Sequence, residues 1–326
     1  MIGMRIFIMT TEFLNFSHKK IFTFFCVMFF LFPSISTSQQ LPLHNQYIYN
    51  PLIINPAFAG VSTVSSLHLS TRSQWIGFSE GINTLSFSGN YALSENQGVG
   101  GCLFQDNTGS ISITGVELDY SFKLPLFLDY NISFGLGLIP YQYLFNANNT
   151  DGNFADPALD ISEKKISFDA NFGIFLYSDF LYGGLSVLNL IQSSTIPSLD
   201  GEVPNQLVRH YYGLLGYNYF NETSKMGLEQ TVLMRHTAYS KTQFDFNAKV
   251  NFNDIFWVLC GYRTNKEILV GFGIKYGKFG FIYNIDINQG EIGEYSNSSH
   301  EFGLIFYLNN KMNVFDWGND LNLEYR

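Results

Sequence analysis

Gly115 to Lys123 reads GVELDYSFK. Val116, Leu118, Tyr120 and Phe122 take every second position, and Gly115, Glu117, Asp119, Ser121 and Lys123 fill the others. A helix cannot segregate these two sets, because its faces repeat every 3.6 residues, whereas a strand sends successive side chains to opposite sides. The run is therefore a strand with one apolar face and one charged face. A soluble sandwich would turn the apolar face to a core. A membrane barrel turns it to lipid and points the charged face into the lumen. Periodicity alone does not separate the two.

The same alternation recurs along the chain. Ile166, Phe168, Ala170, Phe172, Ile174 and Leu176 oppose Ser167, Asp169, Asn171 and Gly173. Phe244, Phe246, Ala248 and Val250 oppose Gln243, Asp245, Asn247 and Lys249, and Phe279 to Ile287 and Phe302 to Leu308 repeat the pattern. Together with weaker runs these give about 14 strands, each near the ~9–11 residues that a tilted barrel strand needs. The gaps between runs alternate in length. Gaps 142–165, 191–207 and 288–298 fall at odd positions, and short ones such as Ser178-Asp179 and Gly277-Lys278 at even positions. A barrel with short turns on one side of the membrane and long loops on the other has this parity; a sandwich has no reason for it.

Composition agrees with the barrel. Charged residues are 14% of the 326 and aromatics 17%, including 33 Phe. Soluble domains carry about 25% charge. The apolar run Ile21 to Phe32 follows Lys19-Lys20 and ends in Pro33 and the small residues Ser34, Ser36, Thr37 and Ser38. It is short of the ~20 residues that a membrane helix needs, so residues 1–38 are expected to be a cleaved signal peptide. Losing Arg5, Lys19, Lys20 and Glu12 with it would take the net charge from −9 to −11. An acidic chain without a basic cluster argues against nucleic acid as a partner. Cys102 and Cys260 are too few for a disulfide framework in so long a chain. The expected organisation is all-β: a periplasmic N-terminal strap at 39–64, one transmembrane antiparallel barrel at 65–309 and a periplasmic tail at 310–326.

The strap is the least strand-like stretch. Gln46 to Gly60 reads QYIYNPLIINPAFAG. Pro51 and Pro56 fix their own φ and bias Asn50 and Asn55 toward extended or turn geometry, so a helix or an interior strand is not expected. Its apolar content implies an irregular but packed segment. These residues resemble the opening signature of the PorP/SprF family: Gln46-Tyr47 leading to Asn50-Pro51, then Asn55-Pro56-Ala57-Phe58-Ala59-Gly60. The run Arg72-Ser-Gln-Trp75-Ile-Gly77-Phe78 is similar to the family's second signature. The resemblance implies an outer-membrane barrel of the type IX secretion system of Bacteroidetes-type bacteria, assisting export or surface anchoring of a large secreted adhesin, including gliding adhesins. It implies as partners outer-membrane lipid, secretion components and that adhesin. The residues that carry it are candidates either for docking a partner or for plugging and bracing the barrel.

No catalytic set emerges. The histidines after the signal peptide are not paired at metal-ligand spacing, no G-x-S-x-G elbow is present, and no cofactor or metal is implied. Asp151 to Asp160 alternates oxygen side chains that suit Ca²⁺ but lacks the EF-hand pattern, so it reads as a solvated acidic loop. Glu117, Asp119, Lys123, Asp169, Asp245, Lys249 and Asp286 are expected to face the lumen. In an open lumen they would make the protein a passive porin or uptake channel; in a filled one they would form a buried network. Trp75, Trp257, Tyr91 and Tyr182 are expected near strand ends, where aromatic girdles meet the membrane interface.

Overall fold

The computed structural model describes residues 45–62, 64–77, 81–127, 129–146, 162–194, 206–221, 223–253, 255–290, 293, 296 and 298–308. The expected signal peptide, the tail 310–326, the acidic loop 151–160 and Phe78 lie outside the described residues.

Fourteen strands form one closed antiparallel ring. They are β1 Ser66–Gln74, β2 Ile82–Ala92, β3 Gln97–Thr108, β4 Ile111–Pro125, β5 Asn131–Asn146, β6 Ser162–Tyr177 and β7 Leu181–Leu188. The rest are β8 His210–Asn221, β9 Met226–Thr237, β10 Ser240–Phe252, β11 Phe256–Arg263, β12 Glu267–Tyr276, β13 Phe279–Asn288 and β14 Ser299–Tyr307. Each strand pairs with its sequence neighbours, and β1 closes on β14 from Ser66 opposite Tyr307 to Ser73 opposite His300. Closure leaves no edge, so every strand finds its ladder partners inside the ring, as a hydrocarbon environment requires. Among the described residues no helix is long and apolar enough to cross a membrane; the crossing is made by strands.

The alternation places side chains as expected. Leu118, Leu138 and Phe168 are about 60% exposed on the outer face. Glu117, Asp119, Lys123, Asp169, Asp245, Lys249 and Asp286 are all buried on the inner one. Phe172 points outward, and its neighbour Asn171 is buried inside. At the rim where β1 begins and β14 ends the connections are short, such as 126–130, 178–180 and 277–278. At the other rim lie the longest ones, 147–161, 189–209 and 289–298, among some tight turns. β5 and β6 extend to Asn146 and from Ser162, because their ladder runs on past the point where the apolar alternation fades.

Two girdle residues are not on the outside. Trp257 and Tyr182 are buried in the lumen, whereas Tyr91 is exposed on the outer wall. Glycines admit them. Trp257 lies opposite Gly273, where a Cβ would come within 2.1 Å of the indole, and Tyr182 covers Gly216 in the same way at 1.9 Å.

Leu118 sits at the middle of β4 and faces outward. A cation at the bilayer midplane of a barrel costs about 2–4 kcal/mol. Leu118→Arg should lower the folded, heat-modifiable fraction in outer membranes, and Leu118→Phe should not. Equal yields of the two would contradict the lipid-facing register.

Candidate functional site: a strap inside the barrel

The strap runs through the lumen rather than bracing one end. It is a threefold repeat of five residues: Asn45-Gln-Tyr-Ile-Tyr, Asn50-Pro-Leu-Ile-Ile and Asn55-Pro-Ala-Phe-Ala. Each unit forms one 3₁₀ turn, over Gln46–Ile48, Pro51–Ile53 and Pro56–Phe58. The expectation of no helix thus holds for α-helix but not for these single turns. Asparagine and proline explain them. Asn50 Oδ1 accepts from the Leu52 amide at 3.3 Å, and Asn55 Oδ1 from the Ala57 amide at 2.9 Å. Pro51 and Pro56 take the first helical position, where the missing N–H is not needed.

The other end of each asparagine reaches the wall. Asn50 Nδ2 donates to Ser88 Oγ of β2 at 2.9 Å. Asn55 Nδ2 donates to the Ile174 carbonyl of β6 at 3.1 Å and the Leu185 carbonyl of β7 at 3.4 Å. Wall residues answer in return: Ser121 Oγ donates to the Ala59 carbonyl at 2.5 Å and Lys123 Nζ to the Gly60 carbonyl at 2.7 Å. Ser186 Oγ donates to the Ile54 carbonyl.

Inward glycines make room for this backbone. A Cβ on Gly135 of β5 would lie 2.2 Å from the Ala57 nitrogen, and one on Gly98 of β3 would lie 2.2 Å from the Ala59 oxygen. No side chain fits at either place while the strap is seated. Tyr47, Ile48, Leu52, Ala57 and Phe58 pack with Phe175, Tyr182, Leu214 and Leu233 in one buried cluster. The Phe58 and Phe175 rings meet edge to face at 5.6 Å.

At the long-connection end the strap enters an ionic network. Arg72 of β1 bridges Asp286 of β13 at 2.5 Å and Glu301 of β14 at 3.0 Å. Arg263 of β11 pairs with Glu267 at 2.5 Å, Asp245 at 3.2 Å and Asp286 at 3.6 Å. Arg235 of β9 pairs with Asp245 at 2.5 Å, and Lys249 with Glu229. Asn45 sits at the junction. Its amide N–H donates to Glu301 at 3.0 Å and its Nδ2 to Asp286 at 2.8 Å, while its Oδ1 accepts from Arg263 at 2.8 Å. Tyr47 Oη accepts from Asn247 at 2.7 Å and donates to Asp245 at 3.3 Å, with the Arg235 guanidinium 5.5 Å above its ring. Burial, reinforced by the Asp245 carboxylate, pushes the Tyr47 phenol far above the ordinary tyrosine range. Burial does the same to Tyr49, which stays protonated and donates to Asn284 Oδ1 at 3.2 Å.

The structure therefore brings together Gln46, Tyr47, Asn50, Pro51, Asn55, Pro56, Ala57, Phe58, Ala59 and Gly60, all buried in the lumen, and joins Arg72 to them through Asn45. Trp75 and Gly77 stand apart, in the rim connection after β1. Trp75 takes φ +59° and donates its N–H to Ser299 Oγ at 3.2 Å, and Gly77 takes φ +108°. Sequence reading missed Asn45, Glu301 and Arg263. The five-residue spacing of the three asparagines was the available signal. Glycine at inward positions 98, 135 and 173, where neighbouring strands carry polar side chains, was another.

Fold and site together define a transmembrane β-barrel whose lumen is filled by its own N-terminal segment. The family model described as type IX secretion system membrane protein PorP/SprF matches residues 36–306, and the chain belongs to that family. Its fold is that of an outer-membrane barrel. No curated protein matches it. Solved structures similar to it include the toluene transporter TbuX of Ralstonia pickettii, at 8% identity, TM-score 0.47, 83% of this chain and 95% of that one. A FadL homologue of Pseudomonas aeruginosa has 10% identity, TM-score 0.41, and coverage of 83% and 94%. A ferric enterobactin receptor mutant of the same organism has 10% identity, TM-score 0.35, and 70% coverage of this chain, which spans 44% of the receptor.

Removing one partner of a buried ion pair costs about 3–5 kcal/mol, because the other charge stays behind. Arg72→Met should sharply lower the midpoint of heat modifiability. Arg72→Lys should recover only part, since an ammonium lacks the planar fork that spans two carboxylates. Deleting 46–60 should also lower the midpoint, because the deletion would strand Ser121, Lys123 and Asp245 without their strap partners. A deletion mutant with the parental midpoint would refute the bracing role.

Proposed function

We propose that the protein is a non-catalytic, cofactor-free accessory of type IX secretion that assists export or surface anchoring of a large adhesin, including adhesins of gliding motility, in the outer membrane of a Bacteroidetes-type bacterium. Family membership supports the secretion role. The observation that carries the accessory reading, against a passive porin, is the seated strap, which is hydrogen-bonded to walls on opposite sides of the lumen. A diffusion channel needs that space empty. In this reading the barrel works through its surfaces, and its secretion partners meet it at the rims. The rim with short turns faces the periplasm, as in outer-membrane barrels generally, and the long connections face outward.

Topology is open to direct test. Tyr239 lies in a tight turn at the long-connection rim, and Thr223 in a turn at the short-turn rim. With Cys102 and Cys260 replaced by serine, Tyr239→Cys should react with a membrane-impermeant thiol reagent on intact cells, and Thr223→Cys should react only after lysis. The opposite pattern would invert the assignment.

The plug reading has its own test. The purified protein should pass little steady current in a planar bilayer. Gly135→Leu, which cannot coexist with Ala57 in its present place, should conduct more. A large steady conductance in the parent would favour the porin. For the secretion role, cells lacking the protein should accumulate the adhesin in the periplasm. Normal surface display in such cells would overturn the proposal.

A further inference from the structure

Charge is distributed unevenly around the lumen. The seven ion pairs among the described residues join side chains of β1 and β9 to β14. Across the lumen, Glu117 and Asp119 of β4 take successive inward positions, and neither is ion-paired among the described residues. Asp119 lies opposite Gly137 of β5, which in turn lies opposite Asn171 of β6. Both carboxyl groups lean into the space above that glycine. A Cβ there would lie 2.6 Å from Asp119 Oδ1 and 2.9 Å from Glu117 Oε1.

The two carboxyl groups are not equally satisfied. Asn171 Nδ2 donates to Glu117 Oε1 at 2.5 Å. Asp119 is 4% exposed, and neither of its oxygens meets a donor among the described residues. Asp169 on β6 shows what a satisfied lumen carboxylate looks like: it accepts from the amides of Ala170 at 2.8 Å, Ile191 at 2.9 Å and Ser193 at 3.2 Å. The surroundings of Asp119 offer no such relief. On β3, Gly100 and Cys102 lie opposite Asp119 and Glu117. The Lys123 ammonium is turned to strap carbonyl Gly60. The strap covers Gly100 with Leu52 and Ala59, whose side chains would stand 2.9 and 3.3 Å from a Cβ there; neither carries charge.

We propose that Glu117 and Asp119 hold one proton between them, forming a carboxyl–carboxylate pair beside Gly100, the wall residue that the strap covers. Two adjacent carboxylates in a buried site cannot both stay ionised without a countercharge, and one proton turns their repulsion into a short charge-assisted hydrogen bond. A metal ion suits the site less well. The Asn171 N–H already occupies Glu117 Oε1, and among the described residues no group of three acidic, histidine or cysteine side chains gathers to hold one. Losing the proton would set two negative charges against Leu52 and Ala59. The folded protein then binds more protons than the unfolded chain, so this pair makes stability decline as pH rises through its titration.

The test uses the purified full-length protein in detergent, with the midpoint of heat modifiability measured from about pH 6, where ordinary carboxylates are already ionised, to alkaline pH. Asp119→Asn offers Glu117 an amide N–H and has no proton to lose. The parental midpoint should fall with rising pH, and that of Asp119→Asn should fall distinctly less, the two converging toward the acidic end. Glu117→Gln should flatten the profile in the same way, and it carries the test if Asp119→Asn fails to assemble. Parallel profiles in the parent and the variants would overturn the proposal. So would a parental midpoint that rises with added Ca²⁺ or Na⁺ at fixed pH and loses that response in Asp119→Asn, which would assign the niche to a cation.

Discussion

Buried charge has to be answered by other charge or by hydrogen bonds, and this barrel answers much of it with its own N-terminal segment. Asp286, Glu301 and Arg263 would be a costly set for any lumen closed to solvent. Arg72 pairs with two of them, and Asn45 supplies two donors and an acceptor at the gap that remains. The asparagines at 50 and 55 repeat the solution with backbone carbonyls and a serine instead of ions. Each turns one end of its amide inward to cap a 3₁₀ turn and the other outward to the wall. The strap is thus a polar ladder with an apolar filling, fitted to a wall that is polar on one side and glycine-lined on another.

Much of this could be read from the residues. A period of two, unbroken across Glu117, Asp119 and Lys123, fixes which side chains face inward, because a slip of one residue would place charge against lipid. The alternation of Phe172 with Asn171 was legible for the same reason. Trp257 and Tyr182 were not, because the alternation in β11 and β7 is weak, and only the inward register shows that the glycines opposite make room for their rings. The strap was legible as packed and non-strand from its prolines. Its path was not, because the partners of Asn45 stand more than 200 positions away in sequence. Arg72 was singled out by resemblance, and the structure supplies the reason it is needed.

The same features bear on the function of the family. A barrel filled with its own chain presents partners with rims and loops rather than a pore. Trp75 and Gly77, which belong to the second signature but not to the lumen cluster, lie at the rim with the long connections. They occupy positive-φ conformations there, so this part of the signature shapes a surface turn instead of the interior.

The direction of the strap has a consequence for assembly. Asn45 lies among residues near the long-connection rim, and Gly60 near the rim where Leu308 donates to the Ser65 carbonyl at 2.7 Å. Residues 45–60 therefore traverse the ring before the first strand begins, and the seam between β1 and β14 shuts around them. Threading a finished cylinder would require Asn45 to be drawn past ion pairs already formed. The economical order is the reverse: the strap is laid along the nascent sheet, the strands curl about it, and the last pairing locks it in. The number of strands sets the circumference of the barrel, and the N-terminal segment is the filling that the enclosed space receives.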